Sequence, residues 1–180
     1  CPPGHSCTGD TAAPCVPGKY SLSGQAECTK CPKGSFQNQE GQTFCKLCAA
    51  GTDCDKEGTT MWHTCAPGEY SSALSYGACE SCPAGTYSDT NRASSCKTCP
   101  AGHYCEENSS SARECGSVDK YSAAGATACS TVSDNHYSTG GGTTTRTGQA
   151  QCPSGTYCAG GIRVINCCKN YAESYDGQNQ

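Results

Sequence analysis

The chain has 180 residues, of which 20 are Cys, 22 Gly and 9 Pro, a Cys content above the level that marks a disulfide scaffold in a secreted chain. Leu, Ile, Val and Phe together number 11, too few to bury the apolar surface that offsets chain entropy, so without crosslinks such a chain stays disordered. Twelve Lys and Arg against 16 Asp and Glu leave a scattered net charge of −4, which excludes a basic nucleic-acid groove, and no apolar run approaches the ~20 residues of a membrane span. The even Cys count points to an oxidising, extracellular compartment. The start at Cys1, with neither Met nor signal peptide, is expected of a processed product or a fragment.

Taken in order, the cysteines spell a tandem repeat. Residues 1–27, with Cys1, Cys7 and Cys15, match the second half of a unit. Residues 28–78 form a full unit with Cys28, Cys31, Cys45, Cys48, Cys54 and Cys65, and residues 79–128 form another with Cys79, Cys82, Cys96, Cys99, Cys105 and Cys115. Residues 129–180 form a degenerate unit with Cys129, Cys152, Cys158 and Cys167, a Thr/Gly-rich insertion and a C-terminal segment. A smaller motif, C-x-x-G-x-[YF]-[SQ], recurs as CVPGKYS (15–21), CPKGSFQ (31–37), CAPGEYS (65–71) and CPAGTYS (82–88), with one extra residue in CGSVDKYS (115–122). Its Pro presets φ, its Gly permits the positive φ of a tight turn, and its aromatic opens a short strand that returns antiparallel to a closing Cys. No stretch holds the helical apolar period for more than about one turn. The fold predicted is small and disulfide-rich, an elongated tandem array of short β-hairpins and loops with little or no helix.

The degenerate unit acts as an internal control on pairing. Aligning Tyr137-Ser138 with Tyr87-Ser88 puts Val132 at the place of Cys82, and counting back from Cys152 puts Gln149 at the place of Cys96. Two cysteines that vanish together are expected to be partners, which pairs Cys82 with Cys96 and Cys31 with Cys45. The shared motif extends this to Cys15–Cys28, Cys65–Cys79 and Cys115–Cys129. Four short C-x5-C loops remain, at Cys1–Cys7, Cys48–Cys54, Cys99–Cys105 and Cys152–Cys158. Closing each on itself is the default pairing; joining Cys99 to Cys115 and sending Cys105 elsewhere is the open alternative. Cys167 and Cys168 have no assigned partner, leaving a vicinal bond, a local rearrangement or an intermolecular bridge. A 14-residue loop contributes about 3 kcal/mol and one of five or six about 2 kcal/mol in the chain-entropy account, so nine bridges take the place of a core.

The run CESCPAGTYSDTNRASSCKTCPAGHYC (79–105) resembles the ephrin-receptor-like cysteine-rich repeat of the growth-factor-receptor superfamily, and its C-P-x-G-x-Y…C loop is similar to the first module of tumour necrosis factor receptor repeats. The resemblance covers nearly the whole chain and weakens after Cys129. It implies an extracellular, disulfide-stapled spacer or interaction rod, in settings that range from receptor ectodomains and secreted matrix proteins to protist and algal surface proteins such as mastigoneme proteins.

The remaining constellations read as follows. C-x2-C-x13-C-x2-C (28, 31, 45, 48) has the spacing of a four-sulfur zinc site, but the joint loss of the inner pair favours disulfides. A redox C-x-x-C would need a βαβ framework that is not visible. His5 and His103 stand where equivalent loops carry Thr52 and Thr156; a catalytic base is not replaced by Thr, so the histidines read as turn residues and no catalytic or metal site is expected. Asp53, Asp55 and Glu57 begin like a calcium loop but lack its closing Glu and helices. Asn108-Ser109-Ser110 is an N-glycosylation sequon in a polar stretch. Thr143, Thr144, Thr145 and Thr147 lie in a Thr/Gly-rich segment suited to O-glycans or to a flexible linker. Trp62, beside Met61, either covers a neighbouring disulfide or anchors an interface. Ile162, Val164 and Ile165 belong to GIRVIN (161–166), the one aliphatic β-branched run, able to add an edge strand.

These readings converge on a non-enzymatic, glycosylated extracellular structural protein without cofactors other than glycans, part of a filament or surface coat such as a mastigoneme-like fibre. The expected partners are copies of itself or other fibre subunits, joined end to end through residues 161–180, with no nucleic acid and no membrane insertion. The alternative is a ligand-binding or spacer ectodomain of a receptor.

Overall fold

The computed structural model describes residues 1–72 and 77–164. Among them there is no helix; the regular structure consists of ten two-stranded antiparallel hairpins in chain order. Most have strands of two residues, as in Lys19–Tyr20 with Thr29–Lys30, Ser35–Phe36 with Lys46–Leu47, and Lys120–Tyr121 with Ser130–Thr131. A two-residue ladder has no stability of its own in water. Each therefore depends on what closes it and on what it is stacked against.

Closure comes from nine disulfides, all local. Cys15–Cys28, Cys31–Cys45, Cys65–Cys79, Cys82–Cys96 and Cys115–Cys129 span 13 or 14 residues, with Cα separations between 5.5 and 5.7 Å. Cys1–Cys7, Cys48–Cys54, Cys99–Cys105 and Cys152–Cys158 each span 6 residues. Cys99 thus takes Cys105 rather than Cys115. Cys28, Cys31, Cys45 and Cys48 are divided among three different bridges, so the zinc spacing does not bring four free sulfurs together.

Both kinds of loop are the same backbone turn. In turns of both kinds the carbonyl of the second residue accepts a hydrogen bond from the amide of the fifth: Val16 from Lys19, Pro32 from Ser35, Ala66 from Glu69, Pro100 from His103. In most turns the fourth residue is Gly at positive φ (Gly18 84°, Gly51 78°, Gly85 85°), with Asn135 at 59° in the degenerate turn and Asp119 in the turn opened by Cys115, and positive φ is what a type II turn requires at its third position. The seventh residue is buried in the turns that end on Ser21, Gln37, Cys54, Ser71, Ser88, Cys105 and Ser122 and half-buried at Cys7. A C-x5-C loop is therefore a turn whose seventh Ser has become Cys, which then holds the first Cys in place of the distant closing residue. The successive Gly34, Gly51, Gly68, Gly85 and Gly102 recur every 17 residues, so each unit of about fifty residues consists of three turns.

The chain divides into two compact units, Cys1–Pro83 with Tyr87–Lys97 and Glu107–Ser111, and Ala84–Thr86 with Thr98–Glu106 and the residues from Ala112 onward. Within the first, every turn is hydrogen-bonded to the next. Gly18 donates to Gln37 O at 2.7 Å and Gly51 to Ser71 O at 2.7 Å, while Cys31 donates back to Gly18 O at 2.9 Å and Cys65 to Gly51 O at 3.0 Å. A third bond runs from the loop beyond the seventh residue to the first Cys of the preceding turn, from Gly41 to Cys15 O and from Gly58 to Cys31 O, both at 2.8 Å. The second unit repeats this pattern, with Gly85 donating to Cys105 O, Gly102 to Ser122 O and Gly125 to Cys99 O. The interior so formed holds Cys, Ser and Gly, with buried Cys15, Cys31, Cys65, Cys82, Cys99 and Cys105 as its apolar content. That is how a chain with 11 large aliphatic and Phe residues acquires an inside: backbone atoms and sulfur replace side-chain bulk.

Candidate functional surface

With positions one, four and seven turned inward, positions five and six carry the variable chemistry. At position five, short polar side chains close their own turn. Ser35 Oγ donates to Pro32 O at 2.6 Å, Thr52 Oγ1 to Ala49 O at 2.5 Å and Thr156 Oγ1 to Pro153 O at 2.7 Å. The histidines do the same from Nδ1: His5 to Pro3 O at 3.0 Å, His103 to Ala101 O at 3.2 Å and His136 to Asp134 O at 2.9 Å. His and Thr interchange in the sequence because each supplies a local donor to a turn carbonyl.

Position six forms a half-buried aromatic stripe within each unit, with Tyr20, Phe36, Tyr70 and Tyr87 in the first and Tyr104, Tyr121 and Tyr137 in the second. Polar cross-strand partners meet the rings. Lys46 Nζ lies 5.9 Å from the Phe36 ring centre and hydrogen-bonds Asn38 Oδ1 at 2.9 Å. Lys97 lies 5.9 Å from the Tyr87 ring and pairs with Asp89 at 2.6 Å. The hydrogen bond from Lys97 holds the Asp89 carboxyl below its ordinary value and Asp89 raises Lys97 in return. Tyr70 donates its hydroxyl to Glu80 at 3.1 Å, and that hydrogen bond to a carboxylate pushes the phenol upward. Ser117 donates to the Asp119 carboxylate and lowers it.

Trp62 stands where the stapled turns carry their closing Cys, since Asp53 faces His63 in this hairpin just as Phe36 faces Lys46 next to Cys45. Its ring is 38% exposed and covered by the Arg92 guanidinium at 5.5 Å. Neighbouring Met61 is 68% exposed, and Phe44, one residue before its own closing Cys, is 59% exposed.

In the degenerate turn, Val132 and Gln149 occupy the places of a lost bridge, as the register Tyr137 to Ala150 requires. Gln149 answers for the missing sulfur with two hydrogen bonds to Ser133, accepting from its amide at 2.8 Å and donating to its hydroxyl at 3.1 Å. The hairpin also lengthens to His136–Thr139 with Gly148–Gln151, four residues on each strand. Thr143 and Thr144 are exposed, Thr145 Oγ1 accepts from Gly142 N at 3.0 Å, and Thr147 Oγ1 donates to Thr139 O at 3.4 Å. Arg146 O and Thr144 O receive the amides of Ser122 and Gly116. This segment is thus a hydrogen-bonded hairpin loop and not the free linker that its composition allows.

Ile162–Val164 pairs antiparallel with Tyr157–Ala159, and Ile162 is 54% exposed. The aliphatic run therefore serves first as the return strand of its own turn, with Ser138 N and Oγ both donating to Gly161 O at 2.9 and 3.0 Å. Ile165, Cys167 and Cys168 lie outside the described residues, as does most of the segment 161–180. Asn108 is exposed, at φ 61°. Among the described residues, no group of three or more His, Cys, Asp or Glu is placed to hold a metal ion, and no helix is long and apolar enough to cross a membrane.

Comparison with known families agrees with this geometry. The model of the tyrosine-protein kinase ephrin type A/B receptor-like family matches twice in tandem, at residues 18–65 and 68–115. No curated protein matches the chain. Each match begins on the Gly at position four of one turn, or at a Gly in that role, and ends on the first Cys of the turn three further on, so the family unit is the three-turn set described above. That family is a receptor-like cysteine-rich repeat of extracellular, disulfide-bonded type and not a catalytic domain. With two tandem matches over more than half its length and the stapled turns that such repeats require, the chain belongs to the ephrin-receptor-like cysteine-rich repeat family.

Proposed function

We propose that this chain is a structural segment of an extracellular filament or surface coat, of the mastigoneme-like kind, in which stacked turns serve as the building material and exposed side chains of the loops meet neighbouring subunits. One observation supports this best: backbone groups of the turns are committed to the turns beside them, so variation is confined to side chains, as a scaffold demands. Copies of the chain or other coat subunits are the partners, and the exposed Phe44, Met61 and Ile162 are positions at which they meet. The receptor part of the family description favours a second reading, a spacer or ligand-binding ectodomain. Negative-stain imaging of native material separates them. Filaments with a regular axial repeat are expected; isolated particles on membrane fragments would overturn the fibre reading in favour of the ectodomain.

A further inference from the structure

In six of the turns the loop that follows the seventh residue reaches a left-handed conformation and there donates its amide to the first Cys of the preceding turn, Arg92 doing so at φ 61° to Cys65 O. Gly24, Gly41, Gly58 and Gly125 occupy this place at φ 81°, 68°, 72° and 77°, donating to Cys1, Cys15, Cys31 and Cys99. In the turn that follows Cys99 the place falls to Asn108, at φ 61°, with its amide 2.9 Å from Cys82 O. Asn is among the few side-chain-bearing residues that tolerate this conformation. The backbone is therefore fixed by the stack, and the side chain it carries is exposed.

Three further features converge on this side chain. Its carbonyl and Oδ1 both lie over Gly68, where an added methyl would meet them at 2.6 and 2.8 Å, so the amide is seated by its oxygen. Asn108 makes no side-chain hydrogen bond among the described residues, which leaves Nδ2 uncommitted. Ser110, two residues on, is exposed and completes the sequon. Asn38, Asn91, Asn135, Asn166, Asn170 and Asn179 lack a Ser or Thr at that distance, so Asn108 heads the one Asn-x-Ser/Thr sequence in the chain. The loop that bears it, from Glu106 to Glu114, lies between Cys105 and Cys115 and is spanned by no disulfide.

We propose that Asn108 carries an N-linked oligosaccharide, a reading that rests on the extracellular assignment above. Asn108 Nδ2 bonds to the anomeric carbon of a lipid-diphosphate-linked oligosaccharide, the bond from that carbon to the diphosphate oxygen breaks, the lipid diphosphate leaves with the electron pair, and the amide proton passes to base. Attachment at a left-handed loop apex costs the stack nothing, because the contacts that fix the loop are made by the backbone and Oδ1.

The test uses the full chain secreted from eukaryotic cells, with glycopeptide mass spectrometry before and after enzymatic release of N-glycans in heavy-oxygen water. The expected result is a glycan on most copies, leaving heavy-labelled Asp at 108 on release. N108G, which restores the residue found in equivalent loops, and S110A, which leaves Asn108 in place, should both be secreted with the same disulfides and with no released sugar. A secreted, fully oxidised chain with bare Asn108 overturns the glycan alone. A chain that stays inside the cell with reduced cysteines overturns the extracellular reading and the glycan with it.

Discussion

Gly18 and Gly24 have nearly the same φ, 84° and 81°, but different surroundings, and that contrast isolates the force that holds the turns together. A side chain at either position costs roughly 1–2 kcal/mol for the left-handed backbone. At Gly24 nothing else lies within 4 Å of an added methyl. At Gly18 the methyl would stand 2.3 Å from Gly58 O and 3.0 Å from Gly58 C, backbone atoms that no rotamer change moves aside. The Gly58 peptide must retreat, which breaks its bond to Cys31 O and strains Gly18 to Gln37 O and Cys31 to Gly18 O. At about 1 kcal/mol net for each bond, Gly18→Ala loses about 3 kcal/mol more than Gly24→Ala, and local opening rises about a hundredfold at 1.4 kcal/mol per factor of ten. Amide hydrogen exchange on the oxidised protein reads this at Gly18, Cys31, Gln37 and Gly58, because such local openings are what exchange reports. Equal loss of protection in the two variants would refute the reasoning and assign the cost to φ alone.

Three further outcomes are expected. V132C/Q149C should oxidise to an additional bridge, visible as a peptide pair that reduction separates, since Tyr137 and Ala150 flank these positions as Tyr20 and Thr29 flank Cys15 and Cys28; closing that loop should raise stability by about 3 kcal/mol, and two free thiols would refute the assigned register. The Asp89 carboxyl, held low by Lys97, should titrate by NMR below its ordinary value and move up in Lys97→Met. A depressed folded-state pKa means that the contribution is complete above the unfolded pKa and is lost as pH falls through the folded one, so this variant should be less stable than the parent near neutrality, match it at pH below the folded-state pKa, and show a flatter dependence on pH between the two. Arg92→Gln should shift the fluorescence of Trp62, the one Trp in the chain, to longer wavelength as the 5.5 Å guanidinium contact is lost, with a stability change no larger than about 1 kcal/mol; an unchanged spectrum would mean that the contact does not persist in solution.

The helix-free array of hairpins is legible in the sequence because Pro, Gly and aromatic residues recur at fixed distances from Cys, each with a local conformational reason. The 17-residue turn was harder to read. In the C-x5-C turns Cys replaces the seventh Ser and no closing Cys follows, and in two of the four, at Ser6 and Asp53, the aromatic of position six is missing as well, so signals that define a turn are lost although its backbone is present. The place of Gln149 follows from alignment, but its hydrogen bonds to Ser133 do not, since they depend on an approach that only pairing of Tyr137 with Ala150 creates. The sequon at Asn108 is readable from three letters. Its left-handed backbone is not, because most equivalent loops mark that position with Gly, and Asn108, like Arg92, hides the correspondence.

A division of labour between covalent and non-covalent forces follows. Among the described residues every disulfide joins residues 6, 13 or 14 apart and closes a single turn. None crosses from one turn to the next among the described residues. The bridges therefore lower the entropy of each open loop but cannot by themselves order one loop against another. Order between turns comes from backbone hydrogen bonds made at Gly and Cys amides, at distances that only an absent Cβ permits, as at Gly51 and Gly102, where an added methyl would meet backbone oxygen at 2.2 and 2.3 Å. Loss of one bridge should then loosen its own turn and, through these bonds, its immediate neighbours, while more distant turns persist, as expected where stability is a sum of local and nearest-neighbour contributions. A glycine at position four is worth as much to the stack as the cysteine three residues before it: the cysteine closes the turn, and the glycine admits the next one.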